Sequence, residues 1–366
     1  MFLRFLLALM ILILVGLGSY YYTFRRTYHG YKITKTSTQE DTVSTRYEPM
    51  AGGILRYSQD GVSLVSSALE GLWSASYSMT NPVADIRDKH AVIADKDGTT
   101  LVMVDEEGVT GMVNTSYTIV KARVSKNGLV AAILDSGGET RINFYGTDGS
   151  LIAENQTTLE DPGYPLDVAV SDNGVIMMVT YQFIEGSHTT SYVAFYNFGD
   201  VGQNKDDRIV SGFTYEGHVT PQIQYLGSSR SAAFCDDGVI LYAGNQIPDQ
   251  VKKITTKKEI VSTFFDDAHI GLVYKNDDKD KLYTMEVYST DGNLIFTKDF
   301  NTAYNTIKMS GGYVLMYNKS NLCVISGDGD QRYDGTVDGS ISNVSKIGIN
   351  RYLLVMDTGV NIMRLR

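Results

Sequence analysis

One short unit recurs along this chain, and the recurrence constrains the fold more than any single motif does. Ile119 to Ile152 reads IVKARVSKNGLVAAILDSGGETRINFYGTDGSLI, with turn dipeptides at Asn127-Gly128 and Asp148-Gly149. The pattern returns from Pro165 as PLDVAVSDNGVIMMVTYQF, with Asn173-Gly174 in the equivalent place. Short apolar runs separated by Asn-Gly or Asp-Gly steps are strand–turn–strand signals. Four strands repeated at about forty residues are the signature of a β-propeller blade.

Counting the outer turns sets the number of blades. Candidate final hairpins fall near Glu70-Gly71, Glu107-Gly108, Asp148-Gly149, Gly199-Asp200, Gly244-Asn245, Asp291-Gly292 and Asp328-Gly329. After the seventh, residues 341–366 supply only three strands, so the sequence predicts an eighth blade that borrows a strand from the segment behind the N-terminus. That arrangement covers the edge an open sheet would expose. Seven blades is the alternative, if residues 53–65 complete the last sheet instead. In Leu166 to Val170 and Val175 to Val179, Val, Ile and Met occupy both strand faces, as expected where sheets pack on two neighbours. No stretch after Phe24 reads as a helix of the length a parallel α/β fold needs. The expected class is all-β, with the propeller over 45–366; a β-sandwich or β-helix is the structural alternative.

The start of the chain is of another kind. From Phe5 to Phe24 there is no charge, and Tyr20, Tyr21, Tyr22 and Phe24 precede Arg25 and Arg26. About twenty apolar residues cross a bilayer core, and aromatic residues favour its interface. Residues 1–26 therefore read as a membrane anchor with its helix over about 5–24, and 27–44 as a polar linker able to supply the closing strand. A cleaved signal peptide is the rival reading, because Gly16 and Gly18 suit positions −3 and −1 of a cut. Arg25, Arg26, Lys32 and Lys35 follow the span while only Arg4 precedes it, which points the large domain to the cytoplasm by the positive-inside rule. An N-terminal span on a large domain is most simply an export signal, and on that ground the propeller is expected on the outer side.

The charge balance excludes one class of partner. Formal net charge is −10. Without the three arginines of the first 26 residues, the remainder carries −13. Nucleic acid is not an expected partner, since its phosphates call for a basic face. Catalytic signals are sparse. Five histidines are scattered without metal-ligand spacing, and no GxSxG or HExxH occurs. Asn276 to Asp280 lacks the Gly and Glu of a calcium loop, and Asp328-Gly329-Asp330 has Arg332 where a third oxygen ligand belongs. Both read as turns. Cys235 and Cys323 lie in apolar strands and read as buried free thiols. No cofactor or metal is expected.

Long connections are the natural carriers of binding. Those predicted to gather at one end of the propeller are Glu160–Pro165, Ile184–Thr190, Tyr215–Pro221 and Lys275–Lys281. The candidate binding residues on them are Tyr164, His188, Tyr215, His218 and Asp278.

The repeat is distantly similar to that of quinoprotein-like propellers, although the single tryptophan, Trp73, is too few for the docking motifs of quinoprotein dehydrogenases. More specifically, Gly52 to Gly61 (GGILRYSQDG), Leu72-Trp73 with Asn81-Pro82, and Phe195 to Asn204 (FYNFGDVGQN) resemble an uncharacterised family of single-pass proteins of Gram-positive bacteria. That family is grouped only as a domain of unknown function. The resemblance covers the anchor and nearly all of the propeller, and it implies an anchored, outward-facing domain without a known activity. Family members often begin with a more basic segment than Met1 to Arg4, a departure that bears on the start site and topology.

The functional expectation is a membrane-tethered extracytoplasmic propeller that binds or scaffolds a protein, peptide or glycan partner at the cell envelope. The alternative is a hydrolase or lyase with its site at the mouth of the central channel, assembled from several blades.

Overall fold

The computed structural model describes all residues except 1, 38–43, 158–161, 186–187, 277–279 and 358. After the N-terminal helix Phe2–Phe24 come eight antiparallel four-stranded sheets, seven of them simple meanders. The fold is an eight-bladed β-propeller. The blades occupy 46–76, 82–114, 118–157, 164–216, 222–255, 260–300, 306–336 and, for the eighth, 341–365 together with Tyr31–Thr36. All seven turns expected to close a blade join third and fourth strands. At Asp148-Gly149 the chemistry is plain: Gly149 holds φ 84° and its N–H bonds the Gly146 carbonyl, while the Asp148 carboxylate accepts from the Ser150 N–H. A residue with a Cβ is disfavoured at that φ.

Burial grades across each blade and explains the sequence pattern. In blade three the second strand, Val130–Asp135, is buried at five consecutive positions. The fourth strand, Leu151–Thr157, leaves Leu151, Ile152, Glu154 and Gln156 exposed. Inner strands lie between neighbouring sheets and need side chains that are apolar on both faces; an outer strand has water at its flank.

The chain divides into two compact units. Residues 39–301 hold blades one to six. Their core is a series of clusters between consecutive blades. Ala131, Ile133 and Phe144 of blade three meet Val168, Val179 and Tyr181 of blade four. Ile176, Met178 and Phe195 meet Ile223, Ile240 and Tyr242 of blade five.

Residues 1–38 and 302–366 form the other unit, with the helix and blades seven and eight. Here Tyr31–Thr36 pairs antiparallel with Gly359–Leu365, Tyr31 opposite Leu365 and Thr36 opposite Asn361. The fourth strand of the last blade thus comes from behind the helix. Its core joins Leu315, Val324 and Tyr333 to Val344, Tyr352 and Met363, with Tyr28 and Tyr31 packed alongside. The Asp328-Gly329-Asp330 turn holds the foot of the helix: both carboxylates pair with the Arg25 guanidinium, and Arg332 lies behind them.

Candidate binding site

In the larger unit, the first strands of blades two to five run side by side, and side chains of the first three form a belt of charge. Arg123 pairs with Asp85 at 3.0 Å and with Asp167 at 3.6 Å, and Lys121 reaches Asp167 at 2.7 Å. Asp167 is fully buried and also accepts from the Val168 and Ile223 N–H groups. A buried carboxylate must be compensated in this way or it neutralises. Burial works against the charge of Arg123, but Asp85 and Asp167 outweigh it and hold the guanidinium above its ordinary value.

One turn further along, at the end that carries the first-to-second-strand turns, four blades meet through two cations and two anions. Arg87 touches Asp172 (2.6 Å) and Asp267 (3.0 Å), and Lys126 touches the same two carboxylates at 3.2 Å each. Each charge faces two opposite ones. Asp172 and Asp267 are thus both engaged by cations.

A cavity of about 600 Å³ lies elsewhere, in the groove between blades three and four. One wall is the outer strand of blade three, with Glu154, Asn155, Gln156 and Thr157. The other is Phe183, Tyr192, Tyr196 and Thr214 of blade four, with Asp207 at one end and Pro162 at the other. Tyr192 stacks on Tyr181 (centroids 6.2 Å apart), and the Tyr181 and Tyr196 hydroxyls share a hydrogen bond of 2.6 Å. Burial pushes the Tyr196 hydroxyl up to about 12, so it stays a neutral donor or acceptor. Glu154 is gripped by Arg141, which lies over the Tyr117 ring. The Asn155 Nδ2 is buried with no acceptor among the described residues.

The lip of the cavity is the excursion between the third and fourth strands of blade four. It contains the short helix Asp200–Gln203 and the turn Asp206–Arg208. Asn197 fixes its base, donating to the Gln246 carbonyl at 2.8 Å and accepting from the Gly199 N–H at 2.7 Å. Asp207 and Arg208 both adopt positive φ, at 50° and 63°. Such conformations are costly for residues with a Cβ and persist where the surroundings hold them. Arg208 is held over the Phe198 ring at 5.6 Å. Much of this excursion is the stretch FYNFGDVGQN.

The residues expected to bind are not among those lining this cavity. Tyr164 opens the first strand of blade four and His188 the third. The chain predicted to loop over 184–190 is mostly strand, with only 186–187 between Glu185 and His188 and outside the described residues. Tyr215 is likewise in a strand, and its hydroxyl bonds the Tyr242 hydroxyl (2.8 Å) and Gln250 (2.7 Å). Asp278 lies outside the described residues. His218 stands beside Asp236 and Asp237, with its Nδ1 3.2 and 3.6 Å from their carboxylates, and the three groups have the donor atoms and proximity to hold a cation. Lys253, 3.0 Å from Asp237, already supplies one positive charge there. The cavity was missed because its walls come from alternating strand residues whose outward faces look solvated in sequence; the available signal was the interruption of the blade rhythm after Asn197.

Comparison with known proteins supports the architecture. A family of unknown function, DUF5711, matches residues 24–365. Among solved structures, BamB from Moraxella catarrhalis superposes with a TM-score of 0.54 at 12% identity, over 92% of this chain and all of that one. A eukaryotic initiation factor superposes with a TM-score of 0.55 at 13% identity, over 88% of this chain and 84% of that one. At such identities the likeness is one of fold. No curated protein sequence matches the chain.

Proposed function

We propose that this chain, which belongs to the DUF5711 family, is a membrane-tethered binding module. In this reading its propeller faces the outside of the cell and holds a protein, peptide or glycan partner at the envelope. The observation that carries it is the cavity between blades three and four. Tyrosine rings, two carboxylates and the amides of Asn155 and Gln156 line an open groove, a surface suited to the hydroxyls of a glycan or the backbone of an extended peptide. The carboxylates at the end with the Arg87 network are engaged by cations, which favours binding over acid–base chemistry there. The tether rests on the helix: its most apolar 18-residue window, Phe5–Tyr22, has a mean hydropathy of 2.1 and none of it is buried inside the rest of the protein. Such a surface is costly in water.

The test places a photo-crosslinking amino acid at Gln156 in cells, with a second at Val251, an exposed outer-strand position of blade five, as control. A discrete adduct from Gln156 alone, lost when Thr214→Trp fills the groove, supports the reading. Equal labelling from both positions removes it. Protease treatment of intact and lysed cells tests the side of the membrane: digestion only after lysis would put the propeller in the cytoplasm.

A further inference from the structure

Four cations gather at the foot of the helix. A cavity of about 420 Å³ there is lined by Tyr22, Arg26, Tyr28, Lys32, Arg364 and Arg366. Among the described residues none of these four cations has an ion-pair partner, whereas Arg25 next door is held by Asp328 and Asp330. The strand register sharpens the contrast. Lys32 lies directly opposite Arg364, and Arg364 directly opposite Arg351, so one rung of three adjacent strands carries three positive charges. Like charges directly opposite one another destabilise a sheet. Arg366 lies on the same face, two residues beyond Arg364. Arg26 is steadied by aromatic contact: its guanidinium sits 5.0 Å from the Tyr22 ring centroid and 5.4 Å from that of Tyr28.

The place of the cavity indicates what would relieve that repulsion. A helix of 23 residues is about 35 Å long, enough to cross a hydrocarbon core of about 30 Å. Its last turns carry the exposed Tyr20, Tyr21 and Tyr22, residues that favour the headgroup level. The cavity begins at Tyr22 and is therefore at headgroup depth when the helix is in a bilayer, with the exposed Ile349 on its wall. We propose that this cavity binds the headgroup phosphate of an anionic phospholipid, with Arg364, Lys32 and Arg26 contacting its oxygens. Guanidinium–phosphate pairs are short, charge-assisted hydrogen bonds, and basic pockets beside a span take anionic headgroups. Bound lipid would set the propeller's blade eight against the membrane surface rather than leave it swinging on a linker. The inference rests on the tethered reading of the helix.

The experiment uses the full chain in neutral detergent, with phosphatidylglycerol or phosphatidylcholine added at equal concentration and retained lipid counted by native mass spectrometry. Expected are one phosphatidylglycerol per chain, retained about tenfold over phosphatidylcholine, and loss of that preference in Lys32→Gln/Arg364→Gln. Lys89→Gln, on blade two, leaves it unchanged. Equal retention of the two lipids, or an unaltered preference in the double variant, overturns the proposal; displacement of the lipid by an equal concentration of inorganic phosphate overturns it in favour of a soluble anion. Should the double variant not fold, Arg26→Gln, an exposed position, reports on the same cavity. The mass of the protein recovered from cells tests the tether separately: a chain beginning at Ser19 removes that reading, whereas lipid counting on the uncleaved chain reads the cavity alone.

Discussion

Arg87 and Asp172 are 85 residues apart in the chain and belong to blades two and four, yet their side chains meet at 2.6 Å with only 14% and 12% of their surfaces exposed. The contact bridges across the intervening blade three, and Lys126 of that blade closes the square with Asp267 of blade six. Burial opposes the charge of Arg87, but the two carboxylates outweigh it.

A partly buried network of this kind costs more to break than to replace. Arg87→Met is expected to destabilise the protein by about 2 kcal/mol, because Asp172 loses a charged donor while remaining largely shielded from water. In Arg87→Met/Asp172→Leu the loss is smaller than the sum of the single changes, with a coupling of about 1 kcal/mol or more. Urea unfolding of the four proteins measures it; strict additivity would show that the contact contributes nothing.

The blade-six turn responds to pH with a defined sign. Burial alone would raise the Asp266 carboxyl, but the His269 Nδ1 and the N–H groups of Ala268 and His269 outweigh it and hold the group below its ordinary value. A depressed carboxyl contributes stability fully above its unfolded value, about 3.9, and loses it as pH falls through the folded value. Asp266→Asn carries no such titration. The variant is therefore expected to be less stable by about 1 kcal/mol at pH 7, a figure reduced for the exposed part of the side chain. The gap closes in acid, below the folded value. Denaturant curves at the two pH values decide it, and a gap that persists in acid would assign the loss to the turn's shape instead of its charge.

Both cysteines are buried and neither forms a disulfide. Burial pushes the Cys235 thiol up to about 12, so almost none of it is thiolate near neutral pH. Neither Cys235 nor Cys323 is expected to take up iodoacetamide at pH 8 in the folded protein, and both do so in denaturant. Intact mass gives the count, and rapid labelling of the folded chain would mean that blade five or blade seven opens readily.

How much of this was open to reading before the structure depended on sequence distance. The outer turns were legible because a two-residue step such as Asp148-Gly149 declares its own backbone geometry. The closing strand was legible by subtraction, since three strands cannot cover their own edge. The charge belt left a fainter trace: Lys121 and Arg123, or Asp167, interrupt strands that are otherwise apolar. Pairing them requires knowing which strands face one another, and that knowledge comes only with the ring of blades. The cavity residues Asn155 and Tyr192 gave no sign, because an alternating outer strand looks the same whether its outward side chains meet water or a ligand. The basic rung of Lys32, Arg364 and Arg351 joins the two ends of the chain and is invisible to any local pattern.

The same joining of ends makes the stability of blade eight depend on residues far from its own hairpins. Tyr31–Thr36 supplies its fourth strand, and Thr36 adds a side-chain bond of 2.7 Å to Asn361. Without that strand, Gly359–Leu365 would present unpaired backbone groups along an apolar edge, an invitation to pair with another chain. A chain beginning at Ser19 keeps the strand and loses most of the helix, so it should fold and remain monomeric. A chain beginning at Thr45 loses both, and is expected to melt about 5–10 °C lower and to associate at micromolar concentration. Calorimetry and size-exclusion chromatography of the two truncations separate the contributions. If they behave alike, the pairing of Tyr31–Thr36 with the last strand is dispensable, and the helix can be removed anywhere before blade one without cost to the propeller.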